Sequence, residues 1–494
     1  MTRGSGILLA VSSLPSEYGI GTWGEAAYRF VDFLVDLKQK YWQVLPIGPT
    51  SYGDSPYQSL SVFSGNPYLI DLDTLVWQGL LTPEEIRYYN WGTKESAIDY
   101  AALFRNRCQV LRKAFSRFDE QDSNYIDFVA EHGDWVEDYG FYMALKENFD
   151  YQSWQSWPEE IRKKQPVALA KYRKELYYND IRFWVFCQYE FWTQWKKLRE
   201  YANAKGIQII GDVPFFVGMD STDTWMHPDL FLMDENGKAE YVAAAVPDKF
   251  SGKGQVWGNP VYDWKKMQED DFSWWKRRIE ISRQLFDVIR IDHFAGFVKN
   301  YMVPSGTANA SSGRWIRGPG RKLTDALKTV LGNTPVIADD FGNRALMPGV
   351  KKLLAKPGWL DTRILMLAFD GDPANENLPH NYSGHPSVVY VGTHDNDTIA
   401  GYFRDKTDYE LAYLYEYLNI DNQEQIPDAL IRCAYASTAD IAIIQMQDLL
   451  KLGNEARMNA PSTVGNNWRW RLTQEPLAEN RRAWVRNLAA VYHR

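Results

Sequence analysis

Val288-Ile289-Arg290-Ile291-Asp292-His293 is a short β-type apolar stretch that runs directly into an acidic residue. Two further segments share this design: Val336-Ile337-Ala338-Asp339-Asp340 and Val388-Val389-Tyr390-Val391-Gly392-Thr393-His394-Asp395. An acidic residue at the end of a buried strand is poorly placed for stability, because removing a carboxylate from water costs free energy. Three such ends along one chain predict a shared cavity in which carboxylates do chemistry. Paired carboxylates that work without a metal are typical of glycosidic bond exchange.

Several other segments have the same short, apolar, β-branched character. Most are separated by helix-like stretches such as Glu25–Lys40 and Ile181–Lys205, where apolar residues recur at helical spacing. This alternation predicts an α/β protein with a parallel sheet, and eight such units predict a (β/α)₈ TIM barrel. The active site of such a barrel lies at the carboxyl ends of its strands, where the acidic residues fall. The predicted strands are Ile7–Ser13, Tyr41–Ile47, Ile207–Val213, Asp287–Asp292, Pro335–Phe341, Ile364–Phe369, Tyr390–Thr393 with its upstream valines, and Ile441–Met446.

The uneven spacing of these strands predicts two insertions within one catalytic barrel unit, residues 1–494. Approximately residues 53–180 are predicted as a mostly helical subdomain after the second strand, with clear helical patterns in Ile98–Phe118 and Tyr139–Phe149. Approximately residues 214–280 are predicted as a loop-rich insertion over the active site, since Phe215–Trp275 is rich in Gly, Pro, Asp and Trp. Long ordered loops in compact enzymes are usually functional.

Composition excludes several classes of function. Of the 494 residues 45% are hydrophobic and 15% aromatic, which is ample for a large core. The net charge of −8 argues against a nucleic-acid partner, whose groove requires a basic stripe. Cys108, Cys187 and Cys433 are far apart and odd in number, which indicates free thiols in a reducing compartment. The sequence shows neither a secretory leader after Met1 nor a run of about 20 apolar residues, so a cytoplasmic protein with no membrane partner is predicted.

An ordered series of motifs carries a family resemblance. Arg290-Ile-Asp292-His293-Phe294, Gly392-Thr-His394-Asp395-Asn396-Asp397 and Ile210-Gly-Asp212-Val-Pro214 stand at predicted strand ends. With the motifs given below, they resemble the 4-α-glucanotransferases called amylomaltases or disproportionating enzymes, and the match runs from about Gly6 to Leu472. The other motifs are Ser13-Leu-Pro15, Tyr18-Gly-Ile-Gly21, Tyr52-Gly-Asp54-Ser55-Pro56-Tyr57-Gln58-Ser59, Gly65-Asn-Pro-Tyr68, Gln255-Val-Trp257-Gly258-Asn259-Pro260, Gly313-Arg-Trp315, Gly318-Pro-Gly320, Leu378-Pro-His-Asn-Tyr382 and Asn467-Trp-Arg-Trp-Arg471.

The resemblance implies a role for each acidic strand end. Asp292 matches the nucleophile of a retaining mechanism, Asp339 the acid/base, and Asp395 the carboxylate that stabilises an oxocarbenium-like transition state. Arg290 lies two residues before Asp292 on the same strand face, where its cation would keep that carboxylate ionised. The substrate-binding residues that the resemblance implies are Tyr52, Asp54, Ser55, Tyr57, Asp212, Trp257, Arg290, His293, His394 and Asn467, with a second glucan site at Tyr52 and Tyr100.

Asp339 departs from the family pattern, in which glutamate precedes the following aspartate. The shorter side chain withdraws the carboxyl by about one C–C bond, roughly 1.5 Å. A misplacement of about 1 Å can cost on the order of 10²-fold in rate. Asp340 is no substitute, because the next residue of a strand points to the other face. We therefore expect retained but slowed chemistry, or a catalytically impaired glucan-binding protein.

The predicted reaction transfers an α-1,4-glucan segment to the 4-hydroxyl of a second glucan or glucose. It requires no cofactor and no metal, and His380 and His385 lack the partners of a metal site. The partners are α-1,4-glucans and maltooligosaccharides, and the predicted assembly is a monomer or weak homo-oligomer. Transfer requires that water be excluded until the acceptor binds, for which Phe215–Trp275 and Ser462–Trp470 are the predicted lids. An α-glucan hydrolase is the alternative within the same chemistry.

Overall fold

Eight parallel strands close into a barrel in the computed structural model, which describes residues 2–51, 53–247, 252–339, 346–355, 358–382, 384–473 and 477–494. In chain order the strands of this described part are β1 (Gly4–Leu8), β2 (Tyr41–Gln43), β3 (Gln208–Val213), β4 (Tyr241–Ala245), β5 (Gln255–Pro260), β6 (Val288–Ile291), β7 (Lys299–Pro304), β8 (Arg314–Arg317), β9 (Val336–Ala338), β10 (Leu360–Ile364), β11 (Ser387–Tyr390) and β12 (Ile441–Gln445). The barrel order is β1-β12-β11-β10-β9-β6-β3-β2. Pairing of Gly4 with Ile441 and of Gly6 with Tyr41 closes the barrel on both sides of β1. The predicted barrel is confirmed.

Two of the predicted strands are displaced along the chain. The prediction Ile364–Phe369 is wrong, because the strand is Leu360–Ile364 and a 3₁₀ helix covers Leu365–Leu367. The charged residues Asp361 and Arg363 concealed the strand Leu360–Ile364 in the sequence. In the structure both are buried and form an ion pair at 2.7 Å. The first strand likewise begins earlier than Ile7, and Val11–Ser13 is a 3₁₀ helix.

The helices surround the barrel and fill the segment between β2 and β3. None of them in the described part of the chain is both long and apolar enough to cross a bilayer. Their bounds are α1 Glu25–Asp36, α2 Leu72–Trp77, α3 Pro83–Arg87, α4 Tyr100–Phe115, α5 Ser123–Asn148, α6 Glu159–Arg162, α7 Pro166–Leu176, α8 Arg182–Ala204, α9 Thr222–Met226, α10 Trp264–Glu269, α11 Ser273–Leu285, α12 Arg321–Leu331, α13 Met347–Leu354, α14 Ile399–Phe403, α15 Asp408–Leu418, α16 Ile426–Ala436, α17 Met446–Leu449 and α18 Glu479–Val491.

Helices α2–α8 all lie between β2 and β3, where a helical subdomain is predicted. Two glutamines of α8 attach this region to the segment that leads away from the barrel. Gln188 accepts a hydrogen bond from Gly65 N at 2.7 Å, and Gln194 accepts one from Asp71 N at 2.7 Å. Whether these residues form a separate subdomain stays a prediction.

A small antiparallel sheet lies where the sequence predicts long loops. Strands β4 and β5 come from the stretch Phe215–Trp275 and join β7 and β8 in the order β5-β4-β7-β8. A 3₁₀ helix, Phe294–Phe297, links β6 of the barrel to β7 of this sheet. The strands of the small sheet are only four to six residues long. The glycines and prolines around them hid the β pattern in the sequence.

Gly211 of the Ile210-Gly-Asp212 motif has a packing reason to lack a side chain. A β-carbon at this position would lie 2.0 Å from the ring of Phe286, which is buried beside it. Glycine therefore allows β3 to approach the end of α11 closely, and the next residue, Asp212, stands at the carboxyl end of the barrel.

Candidate active site

Arg290 is the centre of the acidic cluster. Its buried guanidinium pairs with Asp212 from β3, lies 2.6 Å from Asp339 Oδ2 and lies 3.6 Å from Asp292 Oδ1. Ile291 and Ala338 are register partners, so Asp292 and Asp339 follow them on neighbouring strands. Neighbouring strands are about 4.8 Å apart, which suits a pair of carboxyl groups working on one bond. One cation thus bridges three carboxylates from three barrel strands.

Arg290 contacts Asp292 less closely than the sequence predicts. Its nearer partners are Asp212 and Asp339, while Asp292 lies beyond ordinary hydrogen-bond distance. Burial raises the pKa of Asp292 well above its usual range, and Arg290 only opposes this shift. The expectation that Arg290 keeps Asp292 ionised is therefore incomplete, because desolvation has the larger effect on the pKa of Asp292.

The three acidic side chains differ in how far they reach into the cleft. The side chain of Asp339 is 7% exposed, whereas that of Asp292 is 28% and that of Asp395 is 38% exposed. Asp339 Oδ1 is buried and has no hydrogen-bond partner among the described residues. Burial also raises the pKa of Asp339, against the effect of Arg290. Asp339 is therefore the most deeply buried of the three carboxyl groups, and its withdrawal relative to a glutamate stays a prediction.

Asp395 is held by residues that the sequence analysis missed. Asn459 donates a hydrogen bond from Nδ2 to Asp395 Oδ1 at 2.6 Å, and Arg457 Nη2 donates to the Asp395 carbonyl at 2.8 Å. His394 Nε2 lies 3.5 Å from the same carboxylate oxygen. The only available signal was a polar Arg-Met-Asn segment after the last barrel strand, which indicates no particular partner.

Tyr57 joins the loop after β2 to the acidic cluster. Its hydroxyl donates to Asp212 Oδ2 at 2.7 Å, and its ring stacks on His394 with 5.2 Å between centroids. Burial, followed by the negative charge of Asp212, raises the pKa of Tyr57, so the hydroxyl stays protonated. Trp468 packs against both rings, at 5.6 Å from Tyr57 and 5.8 Å from His394. These contacts form one wall of the cleft.

His293 and Trp257 form a second wall. The His293 backbone is left-handed, with φ 45°, and its ring lies 4.9 Å from the ring of Trp257 in an edge-to-face arrangement. Phe216 stacks on the same histidine at 6.0 Å. Burial lowers the pKa of His293 to about 4, so the ring is neutral near pH 7. A neutral ring and an indole suit contact with uncharged sugar hydroxyls and ring faces.

The remaining predicted site residues are used differently or lie apart. Asp54 Oδ2 is 3.7 Å from Arg469 Nη2, and the Ser55 hydroxyl accepts a hydrogen bond from Tyr57 N at 3.2 Å. Asn467 accepts from Ala460 N at 3.0 Å and donates to the Thr463 carbonyl at 2.9 Å, so its amide closes its own loop. Tyr52 lies outside the described residues.

Tyr100 is buried, and its hydroxyl donates to the Trp468 carbonyl at 2.8 Å. This contact supports the wall of the cleft and leaves little of the ring for a ligand. The second glucan site at Tyr52 and Tyr100 stays a prediction.

Tyr57→Phe is expected to lower kcat roughly tenfold, because a hydrogen bond to a charged group contributes about 1.5–3 kcal/mol. The ring and its stacking on His394 would remain, so KM should change less than kcat. Steady-state kinetics measure both. Tyr390→Phe is the matched control, since its hydroxyl donates to neutral Gln43 Oε1 at 2.8 Å deeper in the barrel. An equal loss of kcat in both variants would show that the hydrogen bond from Tyr57 to Asp212 makes no specific contribution to catalysis.

The fold and the acidic cluster define a class. In (β/α)₈ barrel enzymes the active site lies at the carboxyl ends of the strands, which is where this arginine and its carboxyl groups lie. Enzymes that act on glycosidic bonds use such a pair of adjacent carboxyl groups.

Comparison with known proteins identifies the family within this class. The model of the family described as 4-alpha-glucanotransferase matches residues 9–476. The 4-alpha-glucanotransferase of Clostridium butyricum is 42% identical over 98% of this chain and 99% of its own, and that of Thermus thermophilus is 40% identical over 100% and 99%. An amylomaltase from Streptococcus agalactiae, solved in complex with acarbose, superposes with a TM-score of 0.94 at 40% identity, over 100% of this chain and 99% of its own. The chain belongs to the 4-alpha-glucanotransferase family.

Proposed function

We propose that this protein transfers segments of α-1,4-glucans by a retaining double displacement. The observation that carries the proposal is the pair of carboxyl groups on neighbouring strands, Asp292 and Asp339, at one buried guanidinium. Membership of the family supports the substrate class. A monomer or weak homo-oligomer stays a prediction. Three cysteines without a disulfide support a cytoplasmic, reducing location.

In the first step Asp292 attacks the anomeric carbon of the donor while Asp339 protonates the leaving oxygen. The bond to the leaving glucan breaks as a bond to Asp292 Oδ forms, giving a covalent glycosyl-enzyme. In the second step the 4-hydroxyl of an acceptor glucan attacks the same carbon and loses its proton to Asp339, while the bond from that carbon to Asp292 breaks and releases the carboxylate. Asp395 is held by Asn459 through Oδ1, which leaves Oδ2 for the sugar and for the positive charge that develops on it.

Transfer exceeds hydrolysis only when the acceptor reaches the intermediate before water does. Trp257 and Trp468 belong to the two aromatic walls described above, the first beside His293 and the second beside His394. Both belong to segments predicted as lids. We propose that a bound acceptor completes this aromatic enclosure and excludes water.

Incubation with maltotriose tests the proposal. Glucose together with a ladder of longer oligomers is the result that we expect. Glucose and maltose without lengthening would overturn transfer in favour of hydrolysis. The short, buried side chain of Asp339 gives one specific reason to consider a binding protein, and unchanged maltotriose that still binds to the protein would establish that alternative.

The pH profile of kcat/KM should show the titration of the carboxyl pair. Activity requires ionised Asp292 and protonated Asp339, so it falls in acid as the nucleophile gains a proton and in alkali as the acid/base loses one. Burial raises the pKa of both groups. The acidic limb is therefore expected above about pH 4, the value for an exposed aspartate. An acidic limb below that value would show that Arg290 outweighs desolvation.

A further inference from the structure

The hairpin of β7 and β8 carries two cations directly opposite each other. Lys299 and Arg317 are register partners, and both side chains are exposed. Like charges at opposed positions of an antiparallel pair repel and destabilise the sheet. Neither forms an ion pair with an acidic residue in the described part of the chain. An anion between the two side chains would relieve this repulsion, on a protein whose net charge is −8.

An aromatic surface lies beside the two cations. Tyr301 and Trp315 are the next register partners on this face, with ring centroids 5.2 Å apart and 58° between the rings. The indole of Trp315 is 42% exposed. Successive residues of a strand point to opposite faces, so Lys299, Tyr301, Trp315 and Arg317 share one face.

This face is separate from the catalytic cleft. Tyr301 packs with Val242, Ala244 and Val303 on one side of the sheet, while Met302 and Trp257 belong to the core on the other. Trp257 is the residue that meets His293. A ligand on the Lys299–Trp315 face therefore does not compete for the residues that surround Asp292.

We propose that this face binds a hexose phosphate monoester, either free or carried on a glucan chain. The phosphate lies between the Lys299 ammonium and the Arg317 guanidinium, and a face of the sugar ring lies on Trp315. A phosphate monoester carries about −1.5 to −2 charges at pH 7, which relieves the repulsion of the two cations. Charge-assisted hydrogen bonds to phosphate are about twice as strong as neutral ones, and the apolar face of a sugar suits an indole. The site is independent of the proposed transferase activity.

Titration of the full-length protein with glucose 1-phosphate tests the site, with tryptophan fluorescence and calorimetry as readouts. Lys299→Gln/Arg317→Gln is expected to weaken binding at least about tenfold, because two charged hydrogen bonds are lost. Trp315→Ala should weaken binding of glucose 1-phosphate and leave inorganic phosphate unaffected. Arg314→Gln is the matched control: it removes the same charge from the same strand, but Arg314 faces the other way and stacks on Tyr241 at 3.9 Å.

The outcomes separate the parts of the proposal. Unchanged binding in the double variant, or no saturable binding of glucose 1-phosphate or of phosphorylated maltodextrin below about 10 mM, overturns the site. Inorganic phosphate that binds as tightly as glucose 1-phosphate overturns the sugar contact. Binding of phosphorylated maltodextrin but not of glucose 1-phosphate assigns the site to phosphate on a glucan. Maltotriose turnover is measured in parallel and should be equal in wild type and double variant, so a failure of the transferase proposal is visible separately.

Discussion

Asp292→Asn is expected to lower turnover of maltotriose by at least about 10⁴-fold, the scale seen when a nucleophile is removed. The amide has nearly the same shape, but it cannot form the covalent glycosyl-enzyme. It also removes a negative charge that lies 3.6 Å from Arg290 Nη1. The Asp292 side chain that carries this charge is 28% exposed. Product analysis over long incubations measures the remaining activity.

The same substitution should leave the protein as stable as wild type or more stable near pH 7. Burial raises the pKa of Asp292, so folding disfavours the ionised carboxylate, and that cost grows as pH rises through the folded-state pKa. An amide has no such cost. Thermal melting tests this, with the exposed substitution Asp405→Asn as the control. A large loss of stability with activity retained would make Asp292 a structural residue and end its assignment as nucleophile.

Asp339→Glu is expected to raise turnover, by about 10- to 100-fold, because a misplacement of about 1 Å can cost on the order of 10²-fold. The extra methylene advances the carboxyl by about 1.5 Å toward the bond it protonates. It also moves the carboxyl away from its 2.6 Å contact with Arg290. Single-turnover kinetics with maltotriose measure the chemical step directly.

Asp339→Asn is the companion variant, since it keeps the short side chain but cannot exchange a proton. It should lose nearly all activity, whereas the glutamate gains it. If the glutamate variant is unchanged or slower, the pocket is built around aspartate. If the asparagine variant keeps wild-type turnover, the acid/base is another residue.

Strand periodicity made much of the fold predictable. Each barrel strand is a short local pattern, and its alternation with helices is readable without tertiary contacts. Where the pattern was interrupted, as by Asp361 and Arg363 in β10, the prediction shifted to the apolar residues next to it. The sequence analysis missed the short strands β4 and β5 for a similar reason, because glycine and proline dominate the local sequence pattern.

By itself the sequence determined the barrel, the acidic strand ends and the shortened residue at position 339, because each is written in a few neighbouring residues. Only the tertiary structure decided that Arg290 lies nearer to Asp212 and Asp339 than to Asp292. It also decided that Tyr57 reaches Asp212 across a separation of 155 residues, and that Asn459 holds Asp395. These pairings depend on how the barrel closes and how its loops pack. Neither can be derived from the spacing of residues along the chain.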